Sequence, residues 1–292
     1  WRTKAIMVSS LTTRNAQVTT DALMEGAFDF ILKPSSSNSE ANRQELSDEL
    51  AAKITAFRDS RRHRRDGSRT SVDSGRGIGT NETSRGDESV GSAPSPRSAC
   101  QVVVVGTSTG GPAALKAMLP KIPETLAAPI LIVQHMPATY TLSLANRLNE
   151  ICSLNVMEAI DGMQPRGGQA ILAAGGMQMK LVRHNGRMKL EVNEDPPVNG
   201  LRPSVDYLLN STVAAVGGDA LAVILTGMGR DGLSGCQQLK EAGGYVFAQS
   251  EADSVVYGMP KAVTSAKLTD RILPLAKVAP AVVRHVKRSR RP

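Results

Sequence analysis

Apolar residues fall into short unbroken runs along most of this chain: Val102 to Val105, Pro129 to Val133, Ala170 to Ala173, Leu221 to Leu225 and Gly244 to Ala248. Runs without alternation are the pattern of strands covered on both faces. Helical stretches separate them, and that order predicts an α/β fold: a mostly parallel, doubly wound sheet with helices on both faces. One antiparallel hairpin is expected in it, because Met179 to Val182 and Met188 to Val192 flank the turn pair Asn185-Gly186. A shorter β-α-β-α run precedes all this, with strand Lys4 to Val8, helix Asn15 to Glu25, strand Phe28 to Leu32 and a long helix from Ser39 to Phe57. Gly26 sits where a helix C-cap would be, and Pro34 closes the second strand. Two strands hold too little material for a closed core, so residues 1–60 read as half of a doubly wound domain. Residues 61–98 are rich in Ser, Gly and Arg, with almost no large apolar residue. They cannot offset their ordering entropy and are expected to form a disordered linker before a main domain over 99–292.

The turn after Val102 to Val105 carries the first candidate chemistry. Gly106-Thr107-Ser108-Thr109-Gly110 spells G-x-S-x-G, the pattern of a nucleophile elbow, and Pro112 fits the first turn of the helix that follows. A helix start also offers free backbone N–H groups beside Ser108, as an oxyanion needs. Many glycine-rich turns only hold a phosphate or reverse the chain. This one lacks the G-K-[S/T] ending of a P-loop and the G-x-G-x-x-G spacing of a dinucleotide site. Ser108 then needs a base.

Four histidines make that search short. His63 lies in the linker, His184 beside the hairpin turn and His285 in a basic C-terminal stretch, whereas His135 directly follows the apolar strand before it. In open α/β sheets sites form at the C-terminal ends of strands, the edge where Ser108 and His135 both belong. A carboxylate on that edge would orient the imidazole. Asp231 is the candidate, in the glycine-rich loop Thr226 to Gly232 after Leu221 to Leu225. Its commonplace alternative is to cap the helix starting near Leu233. Asp161 and Asp253 do not directly follow such a strand, and Asp206 looks helical. The chain order Ser, His, Asp differs from that of α/β-hydrolases, which argues for a separate fold with a convergent triad.

Charge and cysteines narrow the picture further. The net charge of +8 raises the question of nucleic acid or another acidic partner. Much of it sits at Arg58, Arg61, Arg62, Arg64 and Arg65, and at Arg284, Lys287, Arg288, Arg290 and Arg291, in stretches that read as flexible and solvated. No nucleic-acid partner is therefore expected, although a phosphate-binding module with nucleic-acid-binding tails is the rival from another class. Cys100, Cys152 and Cys236 are too few and too scattered for a disulfide framework or a zinc site. No apolar run is long enough to span a membrane, no signal peptide is present, and a cytoplasmic location is expected. The chain begins at Trp1 rather than Met, so a true N-terminus is expected to be missing.

Five blocks now stand in order: GTSTGG, VQHMP, RPSVDYL, ILTGMGRDGLSG and AQSEADSVVYGMP. Together they resemble the chemotaxis response-regulator protein-glutamate methylesterase family, CheB. The resemblance implies a serine esterase that removes methyl groups from glutamyl methyl esters on chemoreceptor cytoplasmic domains, and that often also deamidates glutamines. It implies Ser108 as nucleophile, His135 as base and Asp231 as its orienting carboxylate, with oxyanion contacts from Met228 and nearby Thr109. No metal or organic cofactor is implied. Ala174 stands where the family usually carries proline, a departure that bears on the shape of one loop. Residues 4–60 resemble the back half of a receiver domain, with Ser9, Phe30 and Lys33 at its hydroxyl, switch-aromatic and lysine positions. The front half with the phosphate-accepting aspartate is absent from this sequence, and neither Asp21 nor Asp29 matches that position. The pathway's histidine kinase would act through a complete receiver, which is lacking here.

Overall fold

The computed structural model describes residues 4–10, 12–34, 38–66 and 99–289. The first segment folds as β1 (Ile6–Ser9), α1 (Thr13–Met24), β2 (Asp29–Leu32) and α2 (Ser39–Asp66). The main body follows with β3 (Val102–Thr107), α3 (Gly111–Met118), β4 (Ile130–Gln134), α4 (Ala138–Ile151), β5 (Asn155–Glu158) and β6 (Gln169–Leu172). A hairpin of β7 (Gln178–His184) and β8 (Arg187–Asn193) precedes α5 (Val205–Val216), β9 (Ala220–Ile224) and α6 (Leu233–Glu241). The body ends with β10 (Tyr245–Gln249), α7 (Met259–Ser265), β11 (Arg271–Leu273) and α8 (Leu275–Arg288).

Seven strands pair in the order β11-β10-β9-β3-β4-β6-β5, all parallel, so the α/β expectation holds. The four valines of β3 show why the runs do not alternate. Val103 and Val105 enter one core with α3, α4 and α8, while Val102 and Val104 enter the other with α5 and α6. Both faces of the pleat are covered, so both sets of side chains must be apolar. The expected antiparallel hairpin is present: β7 and β8 pair with each other and form a two-stranded sheet beside the seven-stranded one. Buried Leu181 and Leu190 hold it in the second core, near Leu208 of α5.

The half-domain resolves its shortage of core by docking. Ala16, Leu23, Met24 and Phe30 join the core cluster built around α3 and α4. The Phe30 ring stacks on Tyr140 at a centroid distance of 4.7 Å, and the Tyr140 hydroxyl donates to Ser9 Oγ at 2.9 Å. Thr19 Oγ1 donates to the same Ser9 oxygen at 2.9 Å. At the rim, Arg147 forks onto both oxygens of Asp21 at 2.7 and 2.6 Å, and Lys116 meets Glu25 at 2.6 Å.

Two expectations change. The helix from Ser39 runs past Phe57 to Asp66, so the backbone of 61–66 is helical, and residues 67–98 of the expected linker lie outside the described residues. Arg284, Lys287 and Arg288 are not a loose tail but the exposed face of α8, whose other face buries Val278, Ala279, Val282 and Val286. Arg290 and Arg291 lie outside the described residues.

Tyr140→Phe isolates the docking contact, because it removes the bond to Ser9 while keeping the ring. Losing one buried hydrogen bond costs about 1 kcal/mol, which is roughly a fivefold change in an opening equilibrium. Amide exchange in β1 and α1 is expected to accelerate by about that factor with β3 and β4 unaffected. Unchanged exchange in β1 and α1 would contradict the docking described.

Candidate active site

β3 lies between β4 and β9, and this adjacency assembles the site. The last rung of the β3–β4 ladder pairs Thr107 with Gln134, so Ser108 and His135 are the next residues on neighbouring strands. His135 N–H donates to Thr107 O at 3.2 Å, and Ser108 N–H donates across to Thr226 O at 3.1 Å, beyond β9. Two glycines turn the chain after Ser108. Gly110 caps α3 at φ 79°, in the left-handed region, and Gly111 N–H returns to Ser108 O at 2.7 Å. A Cβ on Gly111 would lie 1.8 Å from Gln134 Oε1, so only glycine fits. Gln134 in turn donates through Nε2 to the carbonyls of Ser108 and His135, at 3.0 and 3.3 Å.

Asp231 Oδ2 lies 2.8 Å from His135 Nε2. The carboxylate also accepts the N–H of Val205 on Oδ2 at 2.7 Å and that of Asp206 on Oδ1 at 3.1 Å. Ser204 Oγ donates to Oδ1 at 2.9 Å. The carboxylate therefore sits on the N-terminus of α5, where free N–H groups and the helix dipole favour an anion. It does not cap α6, whose N-cap is Gly232. Burial alone would raise the Asp231 carboxyl. The hydrogen bond and charge of His135 and the N–H groups of Val205 and Asp206 more than offset it, and the group titrates below the ordinary carboxylate range. An ionised Asp231 accepts from Nε2–H, which leaves the lone pair of the imidazole on Nδ1.

The oxyanion candidates lie on either side of Ser108. Met228 is 45 % exposed, while Thr109 is buried. Among the described residues, no acceptor takes the backbone N–H of either one. Thr109 Oγ1 donates instead to Asp29 Oδ2 of the docked segment at 2.6 Å, and Lys53 of α2 meets the same oxygen at 2.9 Å. A cavity of about 470 Å³ opens beside Met228 and Gly229, with Ala52, Thr55 and Ala56 of α2 as its opposite wall. Gly227 keeps the loop tight against Ser108: a Cβ there would lie 2.9 Å from Ser108 Cβ and 2.4 Å from Met259 Sδ.

Of the receiver-like positions, Ser9 and Phe30 meet at Tyr140, and Lys33 is exposed with its backbone N–H on Ser9 O. His285 packs edge-on against Tyr245 and Phe247, and His184 ends a strand of the hairpin. Three participants were not foreseen from sequence: Gln134, Ser204 and Asp206. The last two stand in the RPSVDYL block, where the S-x-D spacing at a helix start was the available signal. Among the described residues no group of His, Cys, Asp or Glu side chains could hold a metal ion.

The family model described as "CheB methylesterase" matches residues 103–282, a span that holds Ser108, His135 and Asp231. The chain belongs to the CheB methylesterase family, a family of hydrolases. A curated relative from Desulfotalea psychrophila, named protein-glutamate methylesterase/protein-glutamine glutaminase, is 42% identical over 285 residues, 97% of this chain and 78% of the relative. One of the same name from Desulfitobacterium hafniense is 37% identical over 312 residues, 98% of this chain and 79% of the relative. The crystal structure of the Thermotoga maritima CheB methylesterase catalytic domain matches with a TM-score of 0.62 and 38% identity, covering 63% of this chain and 97% of that one. Among the described residues no helix is long and apolar enough to cross a membrane.

Gly227→Ala tests the packing of the CheB-type site. Forcing a methyl between Ser108 and Met259 is expected to lower stability by about 1–3 kcal/mol, read from the denaturant midpoint, and to slow labelling of Ser108 by a fluorophosphonate. A variant equal to wild type in both would mean that the loop is looser than described.

Proposed function

We propose that this chain hydrolyses glutamyl methyl esters on chemoreceptor cytoplasmic domains, and deamidates glutamines there, with Ser108 as nucleophile, His135 as base and Asp231 as its partner. The observation that carries the reading is the 2.8 Å contact of His135 Nε2 with a carboxylate held at the N-terminus of α5, beside the strand end that presents Ser108. The names of the curated relatives support the substrate class.

In this mechanism His135 Nδ1 takes the proton of Ser108 as its oxygen attacks the ester carbonyl. A C–O bond forms, and the carbonyl electrons move onto the oxyanion. The backbone N–H groups of Thr109 and Met228 receive that charge, and one such donor contributes about 3–4 kcal/mol. The imidazolium, stabilised by Asp231, then gives its proton to the departing methoxide, and methanol leaves. Water repeats the sequence on the acyl-enzyme, with His135 again as base, releasing the glutamate and restoring Ser108. General-base help is worth roughly 10²–10⁴-fold.

The division that goes with this reading is residues 1–60 as a partial receiver, continued by α2 to Asp66, then a linker up to residue 98 and 99–292 as the catalytic domain with its basic end, acting in the cytoplasm. The docked segment restricts the site, since Asp29 engages Thr109 and α2 walls the cavity at Met228.

Methanol release from methylated receptor is expected to fall by at least about 10³-fold in Ser108→Ala and in His135→Ala, with the double variant no worse than either alone. Near-normal turnover by Ser108→Ala, or losses that multiply, would overturn the triad. Deleting residues 1–98 is expected to raise turnover several-fold, and an unchanged rate would show that the docked segment leaves the site open.

A further inference from the structure

Asp231 does not stand alone at the start of α5. Asp206, in the first turn of α5, is buried and reaches the other way, accepting the N–H of Gly235 in the first turn of α6 at 2.7 Å. Asp231, just before α6, accepts the N–H groups of Val205 and Asp206 in the first turn of α5. Each helix thus carries the carboxylate that satisfies the other's N-terminus. The crossing is close because Gly235 has no side chain: a Cβ there would lie 2.5 Å from Leu209 Cβ and 3.3 Å from Asp206 Cα.

Ser204 completes the frame. Its hydroxyl holds Asp231 Oδ1, and its N–H donates to Gln178 Oε1 at 3.0 Å. Gln178 Nε2 donates to the carbonyls of Pro196 and Leu201, both at 3.2 Å. A buried relay therefore runs from the foot of the hairpin through Gln178 and Ser204 to Asp231 and His135.

We propose that Ser204 and Asp206 are positioning residues for the Asp231–His135 pair, Ser204 by orienting the carboxylate and Asp206 by locking α5 to α6 and governing the charge beside it. This rests on the Ser108, His135, Asp231 reading above. Burial, with the charge of Asp231, pushes the Asp206 carboxyl from 3.8 up to about 6, while Asp231 is held low. Asp206 is therefore the more readily protonated of the two carboxylates, and Asp231 the one held as the anion. The other titratable groups here are His135, beyond Asp231, and Cys236 of α6, whose buried thiol is pushed up by desolvation and by both carboxylates. Lys180 and Asp195 gather around the Tyr207 hydroxyl as a separate cluster.

Asp206→Asn keeps an acceptor for Gly235 and removes the titration. In the wild type Asp206 becomes anionic as pH rises through about 6, adding a second negative charge beside Asp231. The variant lacks it, so the acid limb of its kcat/KM profile for methanol release from methylated receptor is expected to move down by about half a unit to one unit. Stability gives a second readout. A carboxyl raised on folding contributes stability that is present below its unfolded value and lost as pH rises through its folded value. The wild-type Tm is therefore expected to fall relative to that of Asp206→Asn between pH 3.8 and about 6. Ser204→Ala is expected to lower kcat about tenfold with KM nearly constant, and Ser204→Thr to restore it. If Ser108→Ala is inactive yet the Asp206→Asn profile overlays the wild type, or Ser204→Ala and Ser204→Thr behave alike, the positioning roles are wrong. An active Ser108→Ala overturns instead the reading on which they rest.

Discussion

One carboxylate at one helix end fixes most of this site. Asp231 accepts from three donors at the start of α5 and from His135, and it can do so only because the loop after β9 brings it under α5. Burying a charge is costly unless it is paired and hydrogen-bonded. Here the two oxygens are saturated, and what remains is a rigid anion facing an imidazole. The glycines around it serve the same end. Gly232 would bring a Cβ to 3.0 Å from Val205 Cγ1, and Gly106 one to 2.8 Å, so the start of α6 and the end of β3 both close tightly on the start of α5.

The docked segment shows a different balance of forces. Its ion pairs at the rim, Arg147 with Asp21 and Lys116 with Glu25, are exposed and contribute little. The attachment comes from apolar burial of Leu23, Met24 and Phe30, and from the buried bond of Tyr140 to Ser9, whose oxygen Thr19 also engages from within the segment. Hydroxyl and aromatic positions that resemble a receiver's switch are thus occupied in holding the segment to α4. Asp29, which does not match a receiver's phosphate-accepting position, is the residue that reaches Thr109 beside Ser108.

How much of this was legible in the sequence follows from where the signal lies. Buried central strands announce themselves by unbroken apolar runs, so β3, β4, β6, β9 and β10 were all foreseen, with ends within two residues of those observed. The edge strands β5 and β11 were not, because each buries a single residue and shows no run. Ser108, His135 and Asp231 could be singled out since each follows such a run. Asp206 and Ser204 were not, although their S-x-D spacing at a helix start was visible, because their partners Gly235, Asp231 and Gln178 are more than 20 residues away and only the folded chain brings them together. The hairpin was recognised from its turn: Asn185-Gly186 specifies how two strands pair with each other, and β7 and β8 do so in a two-stranded sheet of their own. The continuation of α2 past Phe57 carried no apolar periodicity and so no signal.

The central claim is that an ionised Asp231 activates Ser108 through His135, and site-mapped labelling by a fluorophosphonate probe tests it most directly. Wild type is expected to carry one adduct, on Ser108. Asp231→Asn, which preserves the shape but not the charge, is expected to label the same residue at least about 10²-fold more slowly. An adduct on any other residue, or an Asp231→Asn variant that labels Ser108 at the wild-type rate, would contradict it.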